Sequence, residues 1–137
     1  MGEALVTVDT SALFTLLNRR DPRYESVSAV LSQDPGPYLV PAGILGEAAY
    51  LIERRLGTRV LDLFLGDLER GTFALDCGEE DLARIRELVR RYADLPLGFA
   101  DAAVIACAER HGGKVLTLDR RDFGVVAREG TISLLPD

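Results

Sequence analysis

Three observations predict an α/β fold built on a parallel sheet. Short apolar runs rich in β-branched residues alternate with longer stretches of helical character. The strand-like runs carry no polar alternation, as in sheets covered on both faces. The 137 residues, 47% of them hydrophobic, suffice for one substantial core. Residues 1–137 are therefore expected to form a single three-layer α/β domain.

The first strand is Leu5–Val8, short, apolar and β-branched, and it breaks off at Asp9. Thr10-Ser11 can cap the helix that follows, Ser11–Arg19, and a second helix covers Arg23–Leu31. Asp34-Pro35-Gly36-Pro37 is a turn cluster leading into strand Tyr38–Val40. Pro41 suits the opening turn of a helix over Pro41–Arg55, and Thr58–Arg70 forms the next. After strand Thr72–Leu75, helix Glu79–Arg91 starts on acids that complement its dipole. Helix Phe99–His111 stops at Gly112-Gly113, where His111 is expected to satisfy the terminal carbonyls. Strand Lys114–Leu118, a short helix Phe123–Arg128 and strand Thr131–Leu134 complete the order, with no internal repeat.

Composition excludes more than it assigns. No apolar run reaches the roughly 18 residues of a membrane span, and no leader segment is expected. Cys77 and Cys107 lie in unrelated apolar contexts, so neither a disulfide framework nor a zinc site is expected and a reducing cytoplasm is the default. The net charge of −6 gives no sign of nucleic-acid binding, although fifteen of the sixteen basic residues are arginine, Lys114 being the exception.

Most of the 22 acidic residues sit on solvated faces beside arginines or in first helical turns. Four do not. Asp9 ends a buried strand where Thr10 and Ser11 could cap without it. Glu47 shares its helical neighbourhood with Gly43, Ile44, Tyr50 and Leu51, and a glutamate on a buried face needs a partner, a proton or a cation. Asp101 opens a helix that stays apolar through Cys107. Asp119 follows "KVLTL" as Asp9 follows "LVTV". Each has a plain alternative as a cap, a turn residue or an edge residue. In doubly wound sheets, however, ligands bind beyond the carboxyl ends of strands where the order reverses. If the first and fourth strands are neighbours, Asp9 and Asp119 meet there, with Glu47 and Asp101 reaching in from helices. Four carboxylates without a basic partner call for a hard divalent cation, Mg²⁺ or Mn²⁺, which suits phosphate chemistry.

At these stretches the sequence resembles the PIN-domain family, above all the VapC-type toxin ribonucleases of toxin–antitoxin systems. The resemblance rests on "VDTSAL" (Val8–Leu13), the glutamate in "GEAAYLI", "YADLPLGFADA" (Tyr92–Ala102) and "TLDRRDF" (Thr117–Phe123), in an order that spans almost the whole chain. It implies a five-stranded parallel sheet in the order 3-2-1-4-5 and a divalent-metal-dependent endoribonuclease. The family's acidic quartet falls on Asp9, Glu47, Asp101 and Asp119, with Asp9 and Asp101 as main metal anchors and Glu47 on a second metal or on the attacking water. Ser11 and Thr117 would hydrogen-bond these carboxylates, whereas Asp94 and Asp122 read as loop and capping residues. The implied partners are an RNA substrate, a cognate antitoxin and a second copy of the chain. Helices Pro41–Arg55 and Thr58–Arg70 carry surplus apolar residues for such a surface, and Arg54, Arg55 and Arg59 would sit at its rim.

Rival folds fit less well. A phosphotransfer receiver would want paired acids after the first strand and a lysine after the fifth; Asp76 could imitate its acceptor, but Asp9 is single and Lys114 begins the fourth strand. A haloacid-dehalogenase-type phosphatase would want an aspartate where Ser11 stands. A free-standing RNA-processing nuclease and a non-catalytic binding relative are the remaining alternatives.

Overall fold

The computed structural model describes residues 4–137. Five strands, β1 (Val6–Val8), β2 (Tyr38–Pro41), β3 (Phe73–Asp76), β4 (Lys114–Leu116) and β5 (Ser133–Leu135), form one parallel sheet in the order 3-2-1-4-5. Seven helices surround it among the described residues: α1 (Thr10–Leu16), α2 (Tyr24–Gln33), α3 (Ala42–Leu56), α4 (Thr58–Arg70), α5 (Leu82–Arg91), α6 (Gly98–Arg110) and α7 (Arg120–Ala127). Among the described residues no helix is long and apolar enough to cross a membrane.

β1 is central, with β2 on one side and β4 on the other. Val6 and Val8 are wholly buried, as a strand covered on both faces requires. Thr7 pairs with Val115 and Val8 with Leu116, so the chain ends beyond β1 and β4 emerge together at the point where the strand order reverses. The fourth strand is shorter than its apolar pattern suggests. Regular pairing ends at Leu116, although the Thr117 N–H still reaches the Leu135 carbonyl at 3.0 Å, and Asp119 stands three residues beyond the strand instead of at its tip.

α6 fixes the depth of the site. Ala102 through Ala108 are all buried, which makes it the central helix of its layer. Gly43 lets α3 approach it: a Cβ there would lie 2.8 Å from the Ala103 Cβ. That contact brings Glu47 on α3 and Asp101 on α6 to facing walls. On α3 and α4, Ile52 and Phe64 are fully buried, whereas Leu63 and Leu65 are 54% and 45% exposed. The apolar surplus of these helices is thus partly core and partly open surface.

Candidate active site

The local sequence explains how Asp9 is placed. β1 delivers it to the N-cap of α1, where its backbone is extended and its Oδ1 accepts from the Ala12 N–H at 2.9 Å. Asp9 itself is the cap, and Thr10 is the first helical residue. The Ser11 hydroxyl donates to the same Oδ1 at 2.8 Å, and the Thr117 hydroxyl donates to Oδ2 at 2.5 Å. Both hydroxyls are bonded in turn: Ser11 Oγ accepts from the Leu118 N–H at 3.1 Å and Thr117 Oγ1 from the Asp119 N–H at 2.9 Å. Asp9, 5% exposed, is therefore clamped between the ends of β1 and β4 by a closed relay.

Asp119 caps α7, accepting from the Asp122 N–H at 3.4 Å. Asp101 lies in the first turn of α6. Asp9, Glu47, Asp101 and Asp119 all line one cavity of about 280 Å³, together with Ser11. Two expectations need correction. Glu47 is exposed at the mouth of this cavity, because only Ile44 of its helical neighbours is buried while Gly43 and Tyr50 are exposed. Asp122 is no cap: the capping carboxylate belongs to Asp119, and the side chain of Asp122 turns back so that carboxylate oxygens of Asp101, Asp119 and Asp122 lie within 4.8 Å of one another. Asp119 and Asp122 occupy the cap and third positions of α7, the spacing at which an N-terminal acid faces back toward the cap, and that spacing is the signal in the sequence. Asp94 is exposed in the turn between α5 and α6, outside the cavity.

The electrostatics are one-sided. Among the described residues no basic side chain pairs with Asp9, Glu47, Asp101 or Asp119; Asp122 alone has a distant arginine, Arg121 at 3.9 Å. Burial pushes the Asp9 carboxyl up, against the hydroxyl and amide bonds that favour its ionised form. Burial, and then the charges of Asp119, Asp9, Asp122 and Glu47, raise Asp101 to about 6. A pocket of oxygen donors with no internal cation is the donor set that a hard divalent ion takes. The residues fit such an ion.

His111 satisfies a terminal carbonyl of α6 as expected, but through its backbone: its N–H bonds the Ala108 carbonyl. Its ring turns to Asp76, with Nε2 2.8 Å from Oδ2, away from the acidic cavity. Cys77 is exposed and Cys107 buried, and both are free thiols.

The PIN domain family profile matches residues 6–129. Ribonuclease VapC26 of Mycobacterium tuberculosis is 31% identical over 121 residues, covering 87% of this chain and 90% of the relative. Among solved structures, Mycobacterium tuberculosis VapC20, described as a sarcin-ricin-loop-cleaving toxin, superposes with a TM-score of 0.75 at 22% identity, covering 88% of this chain and 94% of that one. VapBC2 from Rickettsia felis, bound to a DNA fragment from its promoter, gives a TM-score of 0.68 at 15% identity, covering 95% and 96%. FitAcB from Neisseria gonorrhoeae gives 0.62 at 18%, covering the same shares.

Proposed function

Since the chain belongs to the PIN-domain family, of which a VapC ribonuclease is a relative, we propose that it is a divalent-metal-dependent endoribonuclease acting as the toxin of a toxin–antitoxin pair. One observation carries the reading: four carboxylates line a single cavity with no basic side chain among the described residues to neutralise them.

Asp9, Asp101 and Asp119 are the residues that would hold Mg²⁺ or Mn²⁺, with Asp122 beside them and Glu47 at the entrance. A divalent ion bound here supplies an activated water and stabilises charge on the phosphate. The chain does the rest. The hydroxyls of Ser11 and Thr117 fix the plane of the Asp9 carboxylate before anything binds, which removes reorganisation from the later step. Asp101 gives up its proton to serve as a ligand, so its raised pKa makes loading of the site weaken as pH falls. Glu47, which lines the same cavity and is exposed, would ligate a second ion or orient the attacking water.

The partner reading follows from the surface. Tyr50 on α3 and Leu63 and Leu65 on α4 are exposed apolar residues with Arg54, Arg55 and Arg59 nearby in sequence. An antitoxin would cover this apolar face, direct acidic residues at the arginines and place a basic side chain among the quartet. A homodimer is the second assembly proposed. The test is cleavage of single-stranded RNA by the purified chain: activity with Mg²⁺ or Mn²⁺ and none in excess EDTA supports the reading. Full activity in EDTA, after contaminating nucleases are removed, overturns it.

A further inference from the structure

A second cavity of about 280 Å³ adjoins the acidic one, and the two share Thr10, Ser11 and Leu51 in their walls. Its other lining includes Phe14, Asp21, Arg23 and Arg55. The charge here is of opposite sign. Asp21 is neutralised locally: Arg23 donates to it through Nε at 3.2 Å and Nη2 at 3.3 Å, and Thr15 Oγ1 adds a bond of 3.3 Å. Arg55, exposed in the last turn of α3, has no ion-pair partner among the described residues. Two guanidinium groups against one carboxylate leave this cavity one net positive charge.

α3 links the two cavities. Glu47, Leu51 and Arg55 are spaced four residues apart and lie on one stripe of the helix. Eight residues of rise carry that stripe about 12 Å from the acidic mouth to Arg55. Its order is acid, apolar, base. A strand of RNA matches that order, with a phosphate at the cation-binding end, the sugars and bases of about two nucleotides over Leu51 and Phe14, and a further phosphate at the arginine. In a chain of net charge −6, long-range attraction cannot set the register of a polyanion, so a short-range contact must.

We infer that the groove between α3 and the start of α2 is a phosphate subsite, in which Arg55, with Arg23 held in place by Asp21, binds a phosphodiester flanking the one that is cut. The inference rests on the nuclease reading and assigns to it a positioning residue. Arg55 touches a non-reacting part of the substrate, so its effect falls on substrate affinity.

The test measures binding of fluorescein-labelled single-stranded RNA by anisotropy across a salt series, in the full chain carrying Asp101→Asn so that no turnover intervenes. Arg55→Ala is expected to weaken binding about tenfold and to reduce the slope of log affinity against log salt by about 0.7, the loss of one single-strand phosphate contact. Arg55→Lys restores the slope. Arg86→Ala, on α5 outside both cavities, leaves affinity and slope unchanged. In the catalytically intact chain, Arg55→Ala raises KM with little change in kcat. Unchanged affinity and slope in Arg55→Ala and in the double variant with Arg23→Ala overturn the inference, as does the absence of RNA binding throughout. If the intact chain cleaves RNA while these variants bind normally, only the subsite fails. If Arg55→Ala lowers the slope but the intact chain cuts no RNA, the nuclease reading fails, and with it the placement beside a cut phosphate; only a phosphate contact at Arg55 is left. Loss of antitoxin binding in Arg55→Ala with RNA binding intact assigns the groove to a protein partner and overturns the inference.

Discussion

Two strands of one sheet end in aspartates, and the protein treats the two carboxylates in opposite ways. β3 finishes on Asp76, and there Arg110 donates to Asp76 through Nη2 at 2.5 Å and to buried Asp81 through Nε at 2.6 Å and Nη2 at 2.8 Å. Burial would push Asp76 up, but Arg110 and His111 outweigh it and hold the carboxyl below its usual range. β1 runs into Asp9, and there the neighbours are Asp101, Asp119 and Glu47, with no arginine among the described residues. Burial and these charges push Asp101 up to about 6. One acidic cluster carries its own cation. The other has none among the described residues, and the proposed function supplies one from outside.

Removing a charge from each cluster should therefore have opposite consequences. In the acidic cavity, Asp9→Asn or Asp101→Asn is expected to lower RNA cleavage on the order of 10³-fold, the scale of several kcal/mol of lost transition-state stabilisation, with the fold intact by circular dichroism. Wild-type turnover in both variants would show that these are the wrong acids. At the other cluster, Arg110→Ala leaves Asp81, 5% exposed, without its guanidinium, and should cost about 3 kcal/mol in denaturant unfolding. Its cleavage activity below the melting point should stay within a few-fold of wild type.

Smaller changes sharpen the contrast. Thr117→Val deletes the hydroxyl between Asp9 and Asp119, and should reduce metal affinity about tenfold with little loss of stability in the metal-bound protein. Smallest is the pH effect on the metal-free chain. The carboxyl of Asp101 is raised from 3.8 to about 6, so the folded state holds its proton more tightly than the unfolded state does. The resulting penalty is absent below about pH 4, grows as pH rises, and is complete above about pH 6. Asp101→Asn removes it. In EDTA the variant should gain on wild type by about 1–2 kcal/mol between pH 4 and 7, after allowance for solvent screening. A constant difference across that range would show that the cluster is not under charge strain.

Much of this was legible in the sequence because buried strands and strand-end acids leave local signatures. The runs LVTV and KVL and the helix that begins with GFADA need only hydrophobic pattern, and the meeting of Asp9 with Asp119 needs only that β1 and β4 be neighbours. Other features depend on tertiary geometry. The pattern KVLTL reads as strand through Leu118, but regular pairing ends at Leu116 and only the Thr117 N–H continues it, to the Leu135 carbonyl. Glu47 looked buried because Ile44 and Leu51 flank it, yet it sits at the edge of the stripe, where Gly43 and Tyr50 face solvent. A helix starting at Phe123 would make Asp122 a cap; α7 starts at Arg120, and the carboxylate of Asp122 joins the acidic cluster. The ring of His111 finds Asp76, a residue 35 positions away that no local pattern connects to it.

Mn²⁺ binding, measured on wild type, Asp101→Asn and Arg110→Ala under one buffer condition above pH 7, tests the contrast between the clusters most directly. Wild type and Arg110→Ala should bind with similar affinity, because the arginine serves a different cluster. Asp101→Asn should bind at least about tenfold more weakly, as expected when an anionic ligand is lost from the site. Equal Mn²⁺ affinity in wild type and Asp101→Asn, or a loss confined to Arg110→Ala, would contradict the assignment of the uncompensated cavity as the metal site.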